Sequence, residues 1–268
     1  MPQMKPPTVS VLIAAFQAEP IIHKAIRSVL ATSNTEVVIA PDDGSLIYKA
    51  LELQYGHRVK VLTPSYRTGP SQARNRAFKG AAGAFITMLD ADDYFAEQAI
   101  TEALSLAAQT IKGVAFFRTV YIYENTGLIC RELPAKASVS FDEFVHFHGS
   151  IHALYKRDMW QDYGDFLAED VLVDAEILLA NQGAAPLTTS PYYISMHPSS
   201  ITAQTQQAVF NGQYQILADQ ALDPQIKHLF QEKLAAGKRY EQALVTDPKL
   251  LFQDFVKGLG LPCSSIAT

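Results

Sequence analysis

Ala84-Phe85-Ile86-Thr87-Met88-Leu89-Asp90-Ala91-Asp92-Asp93 is the stretch on which the reading of this chain turns. Both alternating faces of Ala84–Leu89 are mainly apolar or β-branched, which predicts a strand covered on two sides, as in a parallel sheet. The acids follow at its carboxyl end, where open α/β sheets hold their ligands. Carboxylates this dense repel one another unless donors or a cation balance them. A hard divalent ion, Mg²⁺ or Mn²⁺, binds one or two such oxygens and keeps its other positions for water and phosphate. Capping a helix over Ala96–Gln109 is the competing use of the same acids.

Toward the N-terminus, short β-branched runs alternate with helical patterns from Thr8 to Gln109, which predicts successive βαβ units. Val9–Ala14, Glu36–Ala40 and Val59–Leu62 read as strands. Ile22, Ala25, Ile26, Val29 and Leu30 recur at helical spacing, a weaker helix covers Leu46–Tyr55, and Pro70-Ser71 opens another. The second strand also ends in acids, Asp42-Asp43-Gly44-Ser45, where glycine permits a tight turn and the carboxylates can accept from a base or ribose. Alone, that tetrapeptide favours a polar turn with a helix cap, and its value comes from the motifs that follow. Parallel strands bring the acids after Ala40 and after Leu89 to one edge. Between them, Gly69–Ala77 carries Arg74 toward that edge while packing through Ala73, Ala77 and Phe78; a solvated basic face is the bland account of Arg74 and Arg76.

Beyond Gln109 the pattern becomes that of a mixed sheet: Val114–Phe117, Tyr121–Tyr123 and Leu128–Cys130 are strand-like, with a hairpin turn at Asn125-Thr126-Gly127. A helix over Glu169–Asn181 stops at Gln182-Gly183, a proline-containing strand spans Leu187–Ser195, and Ala203–Leu259 is mainly helical. The expected organisation is therefore residues 1–110, 111–202 and a helical extension over 203–268.

Composition narrows the class. The 268 residues are 48% hydrophobic and 18% charged, enough for a sizeable core, and the net charge of −5 supplies no general attraction for nucleic acid or anionic membrane. Cys130 and Cys263 lack the spacing of a zinc site or disulfide framework, which fits a reducing cytoplasm. The opening Met1–Pro7 lacks a secretory apolar region, and no apolar run approaches the roughly 20 residues that cross a bilayer. A cytoplasmic protein is expected, free or peripheral to the inner face of the membrane.

Taken in order, Val9-Ser10-Val11-Leu12-Ile13, Asp42-Asp43-Gly44-Ser45, Ala73-Arg74-Asn75 and Leu89-Asp90-Ala91-Asp92-Asp93 resemble the family 2 glycosyltransferases of the GT-A fold. The resemblance implies an α/β architecture: a Rossmann-like nucleotide-binding half with a mixed central sheet, joined to an acceptor-binding half and followed here by a helical C-terminal region. It implies transfer of one sugar from a nucleotide-sugar, a UDP-sugar by analogy, to a hydroxyl of a saccharide, lipid-linked or small-molecule acceptor. Mn²⁺ or Mg²⁺ is the implied cofactor. The Gln-x-x-Arg-Trp motif of processive membrane synthases is absent, so one sugar is expected per encounter.

Residue by residue, the resemblance puts Ala14, Asp42, Asp43, Arg74, Asp90 and Ala91 at the donor nucleotide and Asp92 on the metal, with His197 of Tyr193–Pro198 approaching the metal or diphosphate. Glu169-Asp170 resembles the family's Glu-Asp pair, which makes Asp170 the expected general base of an inverting transfer. Acids in the first turn also complement a helix dipole. Glu169, His152 and Trp160 are acceptor-side candidates; His146 and His148 read as cleft or surface groups alike, and core packing competes for Trp160. The sequence departs from family usage at Phe16-Gln17 and at Leu46, near the expected base site. A retaining GT-A transferase, or a chain that binds sugar nucleotide without turnover, satisfies the same first-half motifs.

Overall fold

The computed structural model describes residues 7–165, 167–198 and 200–258. Met1–Pro6 of the opening segment, Cys263, and Leu259 with the rest of the expected C-terminal extension lie outside the described residues.

The first half follows its periodicity. Strand β1 (Val9–Ala15) is followed by helix α1 (Ile22–Leu30), strand β2 (Thr35–Pro41), a 3-10 turn that runs into α2 (Ala50–Tyr55), β3 (Val59–Val61), α3 (Pro70–Gly80) and β4 (Phe85–Met88). β1 pairs in parallel with β2 and β4, and β2 with β3. Alternation decides the layers: Leu12, Val38, Ala40 and Ile86 pack toward Ala73 and Ala77 of α3, whereas Val11, Ile13, Val37 and Ile39 pack toward Ile22, Ala25 and Val29 of α1. A short strand β5 (Tyr94–Phe95) then precedes α4 (Ala99–Ala107), which joins the α1 side of the core.

The second half extends the same sheet. It comprises β6 (Val114–Tyr123), β7 (Ile129–Glu132), β8 (Ser138–Ser140), α5 (Phe141–Phe147), β9 (Ala153–Lys156), α6 (Glu169–Ala180) and β10 (Ala184–Met196). The sheet runs β3-β2-β1-β4-β9-β6-β10-β5, with β7 on β6 and β8 on β10. β9 runs antiparallel between β4 and β6, so the sheet is mixed. The expected strands Val114–Phe117 and Tyr121–Tyr123 are one strand, β6, because Thr119 is buried within it and Arg118 is neutralised by Glu132 of β7. Pro191 lacks the N–H a ladder needs; β10 bulges between Leu187 and Pro191, and the Arg118 N–H turns to the Thr188 hydroxyl at 3.1 Å.

The C-terminal region is α7 (Ile201–Gln204), α8 (Gln207–Gln220), α9 (Pro224–Thr246) and α10 (Phe252–Gly258). Asp223 caps α9 by accepting the Gln225 and Ile226 N–H groups. A side chain at Gly237 would put its Cβ 2.0 Å from Asn211 Oδ1, so this glycine lets α9 lie against α8. α9 also packs against α5 and α6. Among the described residues no helix is long and apolar enough to cross a membrane.

Candidate active site

The loops after β1, β2 and β4 meet at one edge of the sheet. Asp42 is 5% exposed and its carboxylate is committed to α3 and the loop before it: Oδ2 accepts from Gly69 N at 2.8 Å, and Oδ1 accepts from Thr68 N at 3.0 Å and from Arg76 Nη2 at 3.3 Å. Asp43 beside it is half-buried and turned to a different set of donors. Its Oδ1 accepts from Ser45 N at 2.9 Å, while Oδ2 accepts from Gln17 N at 2.9 Å and Tyr48 Oη at 3.1 Å. Burial works to raise this carboxyl, but the hydrogen bonds from Ser45, Gln17 and Tyr48 outweigh it and hold Asp43 below the usual range. Gln17 adopts the left-handed φ of 51° as its N–H reaches Asp43. Arg67 lies over the rings of exposed Phe16 and Tyr66 at 5.9 and 5.6 Å, beside Asp43, which bridges Tyr66.

Arg74 joins the two halves. It is 8% exposed, donates from Nη2 to Asp90 Oδ1 at 2.9 Å, and donates from Nη1 to Glu169 Oε1. The Tyr163 ring centroid lies 5.6 Å from its guanidinium. Burial tends to raise Asp90, yet Arg74 beside it holds that carboxyl below its ordinary value. For Glu169 burial wins over Arg74, and its carboxyl is pushed up to about 7.

The remaining acids of the motif are held differently. Asp93 is 3% exposed, accepting from Ser195 N at 2.8 Å and Tyr192 Oη at 3.0 Å; burial, then Asp92 and Asp90, push it well above the carboxylate range. The Tyr192 hydroxyl also accepts the Asp90 N–H at 3.1 Å, so one phenol on β10 fixes both ends of the motif. Asp92 Oδ2 lies 2.8 Å from His197 Nε2, and burial followed by the Asp90 charge raises its pKa. Ala91, 8% exposed, separates these two acids, and Ala14 sits near the end of β1 opposite Ala40. No group of three or more His, Cys, Asp or Glu side chains among the described residues converges as a metal cage. Asp92 with His197 is a two-member set next to a second carboxylate, which suits an ion whose other ligands arrive with a diphosphate.

Ala168 precedes α6 with φ 66°, a left-handed conformation that costs an alanine on the order of 1–2 kcal/mol. Glu169 and Asp170 form the first turn that follows. Asp170 is half-buried, and its Oδ1 accepts from Val171 N at 2.8 Å. It lines a small cavity with Arg74, His152, Tyr155, Tyr163 and Asp174. His152 is 6% exposed and stacks on Tyr192 with centroids 4.0 Å apart. Trp160 is spent on packing, stacked 4.3 Å from Phe78 at an interplanar angle of 2°. The sequence reading missed Tyr48, Tyr192 and Asp174. Asp174 carried one legible cue, its place one turn after Asp170 on α6.

The model of the family described as Glycosyl transferase family 2 matches residues 10–161. The chain is 30% identical over 141 residues to the Escherichia coli UDP-Glc:alpha-D-GlcNAc-diphosphoundecaprenol beta-1,3-glucosyltransferase WfgD, covering 51% of this chain and 54% of that one. It spans about half the length of the curated relatives it matches. Among solved structures, S. aureus TarS 1–349 in complex with UDP-GlcNAc superposes with a TM-score of 0.66 at 17% identity over 95% of this chain and 82% of that one. The mannosyltransferase PcManGT of Pyrobaculum calidifontis, solved with GDP-Man and Mn²⁺, gives 0.56 at 14% identity over 96% and 80%. These structures share the GT-A-like fold. With the family model spanning the loops after β1, β2 and β4, the chain belongs to glycosyl transferase family 2.

Proposed function

We propose that the chain is a metal-dependent glycosyltransferase that moves one sugar, with inversion, from a UDP-sugar to a hydroxyl of a growing glycan precursor. The observation that carries this reading is the Arg74 bridge, which ties Asp90 of the donor-edge motif to Glu169, the neighbour of Asp170. A base placed there stands beside the donor edge rather than across the molecule from it.

Asp43 supports uracil among the bases. Its Oδ2 already accepts two hydrogen bonds and its Oδ1 one, which leaves a single lone-pair direction. Uracil offers one ring N–H to such an acceptor, whereas guanine offers a paired N–H and NH₂ that want both oxygens. Asp92 and His197 would hold Mn²⁺ or Mg²⁺, which when bound offsets charge on the departing nucleoside diphosphate. Arg74 orients Asp90 and Glu169. Asp170 takes the proton of the attacking hydroxyl, and Glu169, with its raised pKa, limits the negative charge beside it. The E. coli relative's name gives a diphosphoundecaprenol-linked sugar as acceptor, which supports a lipid-linked saccharide here and work at the inner face of a membrane.

Calorimetry of UDP and GDP with and without Mn²⁺ tests the donor side. UDP should bind more tightly than GDP by about tenfold or more, and Mn²⁺ should tighten UDP in the parent but not in Asp92→Ala. Equal affinities for the two nucleotides would sink the base assignment. The anomeric configuration of the product, read by NMR, decides inversion.

A further inference from the structure

Two cations on the α6 side of the molecule are buried with no ion-pair partner among the described residues. Arg131 of β7 is 5% exposed; its Nη1 donates to the Phe147 carbonyl at 2.7 Å, but Nε and Nη2 have no hydrogen-bond partner. Its guanidinium lies 4.5 Å from the ring centroids of both Tyr121 and Phe147. Lys233 of α9 is 4% exposed, with Nζ 5.1 Å from the Phe144 ring. Phe144 and Phe147 are one helical turn apart on α5, so the two cations sit side by side against that helix.

Among the described residues neither cation comes within salt-bridge distance of a carboxylate, and leaving buried charge uncompensated is expensive. Burial, helped by Arg131, pushes the Lys233 ammonium down to about 7, although Asp170 and Asp174 pull the other way. His148, kept neutral by burial, adds an unpartnered Nδ1. Gly149 packs directly against this group, since a Cβ there would meet Arg131 Nη2 at 2.5 Å and Tyr121 Oη at 2.4 Å. Gly149, against the guanidinium, and Ser150 after it are both half-exposed, so the buried cation lies just beneath the surface.

We propose that Arg131 and Lys233 form an anion subsite on the acceptor side of Asp170 that takes a phosphate or diphosphate carried by the acceptor. The inference rests on Asp170 marking the acceptor side, as in the function proposed above. A tetrahedral phosphate group brings the negative charge that two cations lack and enough acceptor oxygens for the free Arg131 donors and the Lys233 ammonium. The donor's own diphosphate belongs elsewhere: Arg131 lies on β7 and Lys233 on α9, which packs on α5 and α6, whereas the donor-edge acids follow β2 and β4.

The full chain, saturated with UDP in the presence of a chelator, is titrated with inorganic pyrophosphate and, in a separate arm, with a short-chain prenyl diphosphate. One equivalent should bind while UDP stays bound. Lys233→Met should weaken that binding at least tenfold and Arg131→Lys several-fold, with UDP affinity unchanged. Because an unpaired buried cation is being removed, the melting temperature of Lys233→Met should hold or rise. Binding of both ligands assigns the site to diphosphate chemistry as such, and binding of the prenyl form alone assigns it to a lipid headgroup. Pyrophosphate that merely displaces UDP, or affinities that neither variant changes, would overturn the subsite. If UDP itself fails to bind, the donor reading falls, and the Lys233 dependence of pyrophosphate binding still decides this one.

Discussion

At the ends of β1, β2 and β4 the carboxylates of Asp42, Asp43, Asp90 and Asp93 are met by backbone amides, phenols or a guanidinium. On the α6 side, among the described residues, Arg131, His148, His152, Tyr155 and Asp174 bury polar atoms that meet no partner, against Arg76 and Ser195 at the donor edge. The first region is organised before anything binds: apart from Ser45 and Tyr48, the donors to these carboxylates come from loops, strands and helix α3 far along the chain. The second, likewise assembled from long-range neighbours, holds its hydrogen-bonding capacity in reserve. Buried polar groups without partners are rare enough in folded proteins that such a concentration marks where a ligand or ordered water belongs.

The largest effect that bears on this contrast is expected at Asp170. Asp170→Asn keeps the shape and loses the basicity, so donor affinity should stay near that of the parent while transfer falls by about 10²–10⁴-fold. Turnover near that of the parent would remove Asp170 from the chemical step, and a melting curve separates that result from unfolding.

Arg74 serves both regions. Arg74→Met leaves Glu169 buried and unpaired, and denaturant unfolding should show a loss of about 3 kcal/mol. Adding Glu169→Gln should return a large part of it, since the two sites share one interaction. Strict additivity of the two changes would break the bridge as an explanation.

The smallest expected effect is the pH dependence of Glu169. Its folded pKa of about 7 exceeds the ordinary glutamate value of 4.5, so between the two the folded parent holds a proton that the unfolded chain has lost. That contribution is complete below pH 4.5 and disappears as pH rises through 7. Glu169→Gln therefore gains on the parent by about 1–3 kcal/mol between pH 4.5 and 8, measured by chemical denaturation. A constant difference across that range would show that burial does not govern this carboxyl.

How much of this was legible in the sequence follows the same division. Helical and strand periodicities laid out β1 to α4 because every signal there spans a few neighbouring residues. β5, β8 and β9 are two to four residues long and owe their existence to ladder partners far along the chain. α5 did carry a local cue, the Ser140–Glu143 capping box, masked by the strand that runs straight into it. The motifs pointed to Asp43, Arg74, Asp90 and Asp92, but Arg74 meets Glu169 across 95 residues, a pairing that no spacing rule reports. The pairing of Arg131 with Lys233 was invisible for the same reason: β7, α5 and α9 had first to be folded together.

The position of β9 limits how this chain can be cut. Although β4 completes the last of the donor-edge loops, its outer side is covered by β9, with Phe85 opposite Lys156 and Thr87 opposite Leu154. A fragment ending after α4 would keep every nucleotide-side motif and expose the β4 edge, with its unpaired amides beside Phe85, Ile86 and Met88, as a template for edge-to-edge aggregation. The family match runs to residue 161, just past that covering strand. The shortest piece of this chain that displays the donor edge in soluble form therefore has to extend beyond Lys156.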